Sequence, residues 1–276
     1  MDRIVSIDLG STAAKLVCLR EDGQLLTALR PEQQAPALAL RQFLEEAGLS
    51  AGDVSRVVLT GVGASRADPA AFPMPLVVVE EFQASCTGAL ALSALEEAVV
   101  VTMATGTALL HAKADGSLRH LCGSGIGGGT LLGLGCQLTG AADFSRLRAL
   151  AERGDRNRVD LTLRDVAEEL PPTLDPDMTT SNFGRRAPSP AAEDLAAGAF
   201  NLVLQAIGTM TVLACQVCGL NTVVLTGSLA DLPLARANFD FFTSLYGVRY
   251  IIPEHAAFAT AIGAGLCALR QPSSQA

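Results

Sequence analysis

Short runs rich in Val, Ile and Leu recur along the chain, and segments of helix-forming composition lie between them. The apolar runs occupy residues 3–7, 15–20, 56–60, 76–79, 98–103 and 222–226. Helical patterns cover residues 37–47, 82–95, 131–138, 144–153 and 191–218. Strands that alternate with helices predict an α/β fold whose sheets are largely covered.

The chain also contains a weak internal repeat. The run at residues 3–7 leads into Asp-Leu-Gly-Ser-Thr at residues 8–12, and the run at 98–103 leads into Ala-Thr-Gly-Thr at 104–107. Each copy would place a glycine and hydroxyl turn at the carboxyl end of a strand, where α/β sheets bind ligands. The repeat therefore predicts two similar halves whose turns face each other and clamp a phosphate.

The overall composition argues against a nucleic-acid partner. The net charge is −8, no cluster of Lys or Arg occurs, and the chain has no Trp and two Tyr. Proteins that bind nucleic acids concentrate basic residues on one face and often stack bases on aromatic rings. We therefore expect no nucleic acid among the partners.

The cysteines and the first residues indicate the compartment. Seven cysteines, an odd number scattered through apolar segments, are typical of reduced thiols in the cytosol. The first residues lead directly into a strand-like run without a positive leader or a long apolar stretch, so we expect no signal peptide. Both observations favour a cytoplasmic protein.

One segment, residues 195–220, carries no charge and is long enough to span a bilayer. Amides such as Asn201 and Gln216 interrupt it, and amides are costly in hydrocarbon. We therefore predict a buried core or interface helix and no membrane span. Cys215 and Cys218 lie on this helix, but no second Cys or His pair completes a zinc site, and the three histidines also lack metal-ligand spacing.

The first glycine turn has a composition suited to binding an anion. Gly10 lets the backbone approach the anion, and Ser11 and Thr12 offer hydroxyl and main-chain donors. Lys15 adds positive charge, and Asp8 could hold Mg²⁺ through water. An ordinary hairpin turn after a strand that ends in Asp is the alternative.

The densest glycine run is Gly-Ser-Gly-Ile-Gly-Gly-Gly-Thr at residues 123–130, which opens into apolar residues 131–134. A loop that enters a helix in this way predicts a helix N-terminus with free N–H groups for a phosphate. The run also fits the G-x-G-x-x-G dinucleotide fingerprint. That fingerprint usually lies in the first βαβ unit, whereas this run lies in the middle of the chain.

Two adjacent carboxylates, Glu80 and Glu81, follow the strand-like run at residues 76–79 and precede a helix. At least one should lie at the cleft, where a carboxylate can accept the proton of an alcohol that attacks a phosphorus atom. The alternative is an acidic pair favoured by the helix dipole. Further along, residues 226–228 resemble another ligand-side turn, residues 259–265 form a small-residue helix, and the Pro-rich residues 171–190 predict an irregular loop.

These motifs together resemble those of type II pantothenate kinases over nearly the whole chain. The family's D-x-G-G-T-x-x-K loop is similar to residues 8–15, where Ser11 replaces the second glycine, and its E-F dipeptide falls on Glu81-Phe82. Its G-T-G-T turn is similar to residues 104–107, and its glycine-rich run is similar to residues 122–134. More distinctive family phrases match residues 144–147, 151–156, 159–161, 164–166 and 181–184.

The resemblance implies a fold and an activity. The fold would be α/β with two RNase H-like halves of the actin, hexokinase and Hsp70 ATPase type and a nucleotide cleft between them. Residues 1–95 would carry the first phosphate loop and the catalytic Glu, and residues 96–276 the second phosphate turn, the glycine-rich loop and the substrate and dimerisation elements. The reaction would be ATP-dependent phosphorylation of pantothenate to 4'-phosphopantothenate, the first step of coenzyme A biosynthesis, by a homodimer.

The resemblance also implies residue roles, with Glu81 as the general base. The residues that would hold ATP and Mg²⁺ are Asp8, Gly10, Ser11, Thr12, Lys15, Thr107, Gly128, Gly129, Thr130, Phe144 and Ser228. Thr105 would face pantothenate, as would Thr107. An Arg that contacts pantothenate in the family aligns with His120, and Arg119 lies one position away, so either residue could make this contact.

Two other functions fit the same motifs. One is another kinase or ATPase of the superfamily, such as a sugar kinase or an activator ATPase that acts on a protein. The other is a nucleotide-binding regulator without turnover, which would have no use for Glu81.

Overall fold

The computed structural model of the protein describes residues 3–11, 13–29, 35–169, 174–186 and 189–270. The predicted phosphate-turn residue Thr12, part of the predicted loop at 171–190 and the tail after residue 270 lie outside these ranges.

Two five-stranded mixed sheets form the centre of the fold. The first comprises β1 (Arg3–Leu9), β2 (Ala14–Arg20), β3 (Leu25–Leu29), β4 (Val54–Thr60) and β5 (Leu76–Val78). The remaining strands are β6 (Glu97–Met103), β7 (Thr107–Lys113), β8 (Leu118–Ser124), β9 (Leu161–Thr162), β10 (Thr179–Ser181), β11 (Thr222–Thr226) and β12 (Arg249–Ile251). The helices are α1 (Pro36–Glu46), α2 (Glu81–Ser93), α3 (Gly128–Thr139), α4 (Phe144–Ala151), α5 (Leu163–Val166), α6 (Ala192–Cys218), α7 (Pro233–Tyr246) and α8 (Ala259–Arg270).

The two large sheets have the same topology. The first has the order β3-β2-β1-β4-β5 and the second the order β8-β7-β6-β11-β12. In each, the first three strands in the chain pair antiparallel and the last two run parallel to the first. The predicted internal repeat and the predicted α/β class are therefore confirmed.

The central strands are buried on both faces, which explains their continuous apolar composition. In β1, Val5 and Ile7 pack against Phe43 of α1 on one face, and Ile4 packs against Ile262 of α8 on the other. The same arrangement recurs around β6, where one face packs against α6 and the other against α2.

Two helices pack across the boundary that the sequence suggested. Helix α2 lies within residues 1–95, yet Cys86 and Leu90 pack on Val100 and Leu110 of the second sheet. Helix α8 lies within residues 96–276 but packs on the first sheet. The division at residue 95 stays a prediction, and the packing shows that these two helices connect the halves.

Helix α6 packs against α3, α4, α7 and the second sheet. It is long and apolar enough to cross a bilayer, but 67% of its most apolar window is buried inside the protein. That degree of burial is typical of a core helix, as the sequence predicted. Leu213 and Val217, near its end, remain exposed.

The sequence-based analysis missed the strands β3, β7, β8, β9 and β12 and the helices α5 and α7. It also predicted an irregular loop at residues 171–190, where β10 in fact pairs antiparallel with β9. Most of these strands lie at sheet edges or are half exposed, so they lack the continuous apolar runs that reveal buried strands.

Candidate active site

A cavity of about 480 Å³ opens where the turns of the two halves meet. The predicted site residues that line it are Asp8, Gly10, Ser11, Lys15, Glu81, Thr105, Thr107, His120, Gly128, Gly129, Phe144 and Ser228. Arg119 and Thr130 are not among the lining residues. Lining residues that the sequence did not single out include Val62, Ser85, Leu132, Leu229 and Thr260. Helical periodicity could have found Ser85, because it lies four residues after Glu81 on α2.

The two repeat turns are in direct contact. The Ser11 hydroxyl of the first turn and the Thr105 hydroxyl of the second are 2.7 Å apart and share a hydrogen bond. The first turn connects β1 to β2, so it is a hairpin turn as well as a wall of the cavity. The hairpin geometry that the sequence allowed is therefore present, anion binding by this turn stays a prediction, and the turns face each other as predicted.

Asp8 and Lys15 form a buried ion pair at the base of the cavity. They are cross-strand partners in the β1–β2 ladder, and Lys15 Nζ lies 3.5 Å from Asp8 Oδ2. Burial raises the pKa of Asp8, and the positive charge of Lys15 opposes this shift. A carboxylate can bind a divalent cation such as Mg²⁺, and an ammonium group can bind a phosphate, so either side chain could exchange its partner for one of these groups.

The adjacent carboxylates have separate positions. Glu80 is the N-cap of α2, and its exposed carboxylate accepts a hydrogen bond of 2.7 Å from the Gln83 backbone N–H. Glu81 is half-buried and lines the cavity. Burial raises the pKa of Glu81, and the negative charges of Asp8 and Glu80 act in the same direction. A carboxyl whose pKa moves towards neutrality is better suited to general base catalysis.

The glycine run packs against the second turn. The N–H groups of Gly128 and Gly129 donate to the carbonyls of Ala104 and Thr105, at 2.7 and 2.9 Å. The Thr130 hydroxyl donates to the Gly125 carbonyl at 2.7 Å. The prediction that this helix start offers free N–H groups to a phosphate was wrong for Gly128 and Gly129, because neighbouring carbonyls already use these donors.

His120 lines both the cavity and an outer groove, whereas Arg119 lines only the outer groove. The His120 ring stacks on Phe82, with centroids 5.1 Å apart and planes at 10°, and it lines the cavity. The Arg119 guanidinium instead lies 3.6 Å from the Cys218 sulfur, in an outer groove beside Leu213. Of the two residues that the sequence left open, the structure places His120 in the cleft.

The remaining part of the cavity is apolar. Leu132 of α3, Phe144 of α4 and Leu229 line it together, with Ser228 beside them. The Phe144 ring also contacts Phe200 of α6, at a centroid distance of 6.0 Å. Apolar walls with a few polar groups are typical of sites for small organic ligands.

Two family models match the chain. The model described as Fumble matches residues 97–266, which is more than half of the chain. The model described as the BadF/BadG/BcrA/BcrD ATPase family matches residues 5–135. Both matches include the second turn and the glycine run.

Curated relatives carry the name that the motifs suggested. The type II pantothenate kinase of Staphylococcus aureus (strain USA300) is 29% identical over 271 residues, which cover 94% of this chain and 97% of that protein. The type II pantothenate kinase of the bovine strain RF122 / ET3-1 is 28% identical over the same coverage.

Solved structures share the fold at low identity. The activator of the 2-hydroxyisocaproyl-CoA dehydratase from Clostridium difficile, with bound ADPNP, has a TM-score of 0.67 and 16% identity and covers 97% of this chain and 94% of its own. A ROK family glucokinase from Streptomyces griseus, in complex with glucose and AMPPNP, has a TM-score of 0.59 and 14% identity, with coverages of 96% and 98%.

These matches confirm the predicted fold and the resemblance to type II pantothenate kinases. The chain belongs to the Fumble family, within the actin-like ATPase superfamily.

Proposed function

We propose that this protein transfers the γ-phosphoryl group of ATP to the primary hydroxyl of pantothenate and forms 4'-phosphopantothenate. The observation that carries the proposal is the position of Glu81, a half-buried carboxylate beside two glycine and hydroxyl turns that face each other. The name of the curated relatives, type II pantothenate kinase, supports the choice of acceptor.

In this reaction Glu81 accepts the proton of the pantothenate hydroxyl. The hydroxyl oxygen forms a bond to the γ-phosphorus, and the bond from this phosphorus to the β–γ bridging oxygen breaks. ADP leaves with that electron pair, and Glu81 later releases its proton to water. Because phosphoryl transfer demands little covalent chemistry from the protein, positioning and electrostatics supply most of the catalysis.

The nucleotide would lie across the cavity. The turns that contain Ser11 and Thr105 would hold its phosphates together with Lys15, and the apolar surface around Phe144 would hold the base. Gly128 and Gly129 would lie close to the phosphates. Their N–H groups would not donate to the phosphates, because the carbonyls of neighbouring residues already accept from them.

The fit of Mg²⁺ depends on Asp8. Among the described residues, no group of three His, Cys, Asp or Glu side chains could hold a metal alone. Mg²⁺ usually binds through one or two carboxylates, water and substrate phosphates, so a single cleft carboxylate such as Asp8 suffices. When bound, Mg²⁺ neutralises charge on the phosphates.

His120 is the candidate for the contact with the pantothenate carboxylate. Its ring is held flat against Phe82, the residue after the proposed base, so it lies near the acceptor. Thr105 and Thr107 would form other parts of the acceptor wall.

A second candidate function is an activator ATPase or a sugar kinase, because solved structures with those titles share this fold. Steady-state ADP release separates the possibilities. We expect stimulation by pantothenate and none by glucose or other sugars. Stimulation by a sugar alone, or ATP hydrolysis that no small acceptor stimulates, would favour the alternatives.

We also propose a cytoplasmic homodimer. All seven cysteines are unpaired, in keeping with a reducing compartment. The exposed Leu213 and Val217 of α6 lie beside the edge strand β8 and supply an apolar surface that a second copy would cover.

A further inference from the structure

The turn that follows β4 comes close to the acidic groups of the cleft. Gly61 has a φ of +87°, a conformation that glycine adopts readily and other residues rarely. A Cβ at this position would lie 2.6 Å from Asp8 Oδ1 and 2.8 Å from the Leu9 carbonyl oxygen. Both the dihedral angle and the available space therefore require glycine, and the space is limited by the Asp8 carboxylate.

Backbone hydrogen bonds fix this turn to the strand that carries Asp8. The Gly63 N–H donates to the Leu9 carbonyl at 2.9 Å, and the Ala64 N–H donates to the Gly61 carbonyl at 3.0 Å. Asp8 is also the register partner of Thr60, the last residue of β4. The turn and the end of β1 thus form one unit.

The same turn reaches Glu81. Val62 lines the cavity together with Asp8 and Glu81. The Val62 backbone N–H donates a hydrogen bond to the Glu81 carboxylate, which lowers the pKa of Glu81 against the larger effect of burial. The charged groups that act on Glu81 are Asp8 of β1, Lys15 of β2 and Glu80 of α2.

We propose that the turn Gly61–Val62–Gly63 positions the two cleft carboxylates, Asp8 by direct contact and Glu81 by a main-chain hydrogen bond. Its residues are positioning residues, because they act through Asp8 and Glu81. The role of Glu81 as base, and hence this half of the inference, rests on the proposed function.

The hydrogen bond from Val62 to Glu81 can be tested by replacing the backbone amide of Val62. Replacing Val62 with α-hydroxyvaline by nonsense suppression turns the amide into an ester, which removes the N–H of residue 62 and keeps every side chain. It also weakens the Gly61 carbonyl, which accepts a hydrogen bond from the Ala64 N–H. We expect kcat for pantothenate phosphorylation to fall about tenfold or more, as the loss of a hydrogen bond to a charged group implies, while KM for ATP and pantothenate changes little. The matched control replaces Ala64 with lactic acid, which removes the turn's own hydrogen bond to Gly61 and should lower kcat less.

A double-mutant cycle separates positioning from simple loss of structure. In the Glu81→Gln background the ester at position 62 should cause almost no further loss of kcat, because its partner carboxylate has gone. An equal loss in both backgrounds, or full kcat for the ester protein, would overturn the proposed hydrogen-bond role.

The contact with Asp8 is tested without the acceptor. Gly61→Ala should weaken binding of MgATP, measured by calorimetry, about tenfold or more. Gly48→Ala is the control, because Gly48 has a φ of +65° but its Cβ would meet nothing within 4 Å. Equal affinities in the two variants would overturn the inference for Asp8.

If the wild type fails to phosphorylate pantothenate, the proposed function is wrong. The MgATP binding experiment still tests the inferred contact between Gly61 and Asp8, because it needs no acceptor. If Gly61→Ala does not fold while Gly48→Ala does, MgATP binding by the protein with lactic acid at position 64 decides the Asp8 part. This ester removes the hydrogen bond that holds the turn at Gly61 and keeps the side chain of Asp8, so an affinity equal to that of the wild type would overturn the inference.

Discussion

Glu80 caps α2 by accepting a hydrogen bond from the Gln83 N–H, and Glu81 lies in the cleft. The two carboxylates follow the same strand, so composition and spacing could not separate them. The reading as an acidic pair at a helix N-terminus describes Glu80, and the reading as a cleft carboxylate describes Glu81. Their different positions follow from the residue at which α2 begins, and the packing of the helix in the fold determines that residue.

The environment of Glu81 predicts a pH dependence. Burial and the negative charges of Asp8 and Glu80 raise its pKa, so the ionised base is lost at a higher pH than for an ordinary Glu, at about 4.3. We expect kcat/KM to fall as the pH drops through this raised value. Glu80→Gln removes one negative charge, so the acid limb should move to lower pH. A limb that stays in place or moves upward in this variant would contradict the assignment.

His120 predicts an effect on KM for pantothenate. A guanidinium carries a permanent charge and can bind a carboxylate at two points, whereas an imidazole offers a carboxylate a single contact. Loss of this contact in His120→Ala should therefore raise KM for pantothenate and leave KM for ATP nearly unchanged.

Two variants check this reading of His120. His120→Arg should give a lower KM for pantothenate, and Arg119→Ala should behave like the wild type, because Arg119 lies against Cys218 outside the cleft. An unchanged KM in His120→Ala together with a raised KM in Arg119→Ala would assign the contact to Arg119.

At the scale of elements, the sequence predicted most of the strands that are buried on both faces and most of the helices between them. It missed β7, although Leu109 and Leu110 of this strand are fully buried. It could not reveal β8, whose residues are mostly half-exposed or exposed, or the pairing of β9 with β10. The glycine run at residues 123–130 shows the same limit of sequence-based prediction. Its position at a helix start was predictable, but the carbonyls of Ala104 and Thr105 that take its N–H groups come from another element.

The crossing of α2 and α8 gives a prediction about stability. A Cβ at Gly263 would lie 1.8 Å from the Ala84 carbonyl oxygen, so the two helices could not keep their separation. We expect Gly263→Ala to lower the free energy of unfolding by about 3 kcal/mol or more, at the upper end of overpacking effects.

The matched control is Gly133→Ala on α3. Gly133 is exposed, and its Cβ would meet nothing within 4 Å, so the substitution should stabilise the protein by about 0.5–1 kcal/mol. Urea unfolding of both variants checks the pair. Similar stability in the two would contradict the close packing of α2 on α8.

At the scale of the whole molecule, the repeat predicted two halves and a cleft, and the structure has two sheets of one topology. It could not predict that α2 and α8 pack across the boundary, because their apolar faces do not identify the sheet that they cover. The fold is also shared with activators and sugar kinases, so it does not select an acceptor. Under the proposed function, side chains such as Glu81 and His120 select the acceptor.

The exposed end of α6 leads to a prediction about the oligomeric state of the protein. Leu213 is 56% exposed and Val217 is 71% exposed, and both lie on a helix otherwise packed in the core. Leu213→Glu should convert a dimer into a folded monomer, because a buried carboxylate at the interface has no partner. Leu38→Glu, at the 51%-exposed Leu38 of α1, is the control and should stay dimeric. Light scattering checks both, and a monomeric wild type would contradict the dimer.

The central claim is that Glu81 activates the hydroxyl of pantothenate for attack on ATP. The most direct measurement follows radioactive γ-phosphate from ATP into 4'-phosphopantothenate, with wild type, Glu81→Gln and Glu80→Gln compared at saturating substrates. We predict transfer by the wild type, a loss of about 100-fold or more in kcat for Glu81→Gln with ATP binding retained, and a small change for Glu80→Gln. Absence of labelled product with the wild type, or a greater loss for Glu80→Gln than for Glu81→Gln, would contradict it.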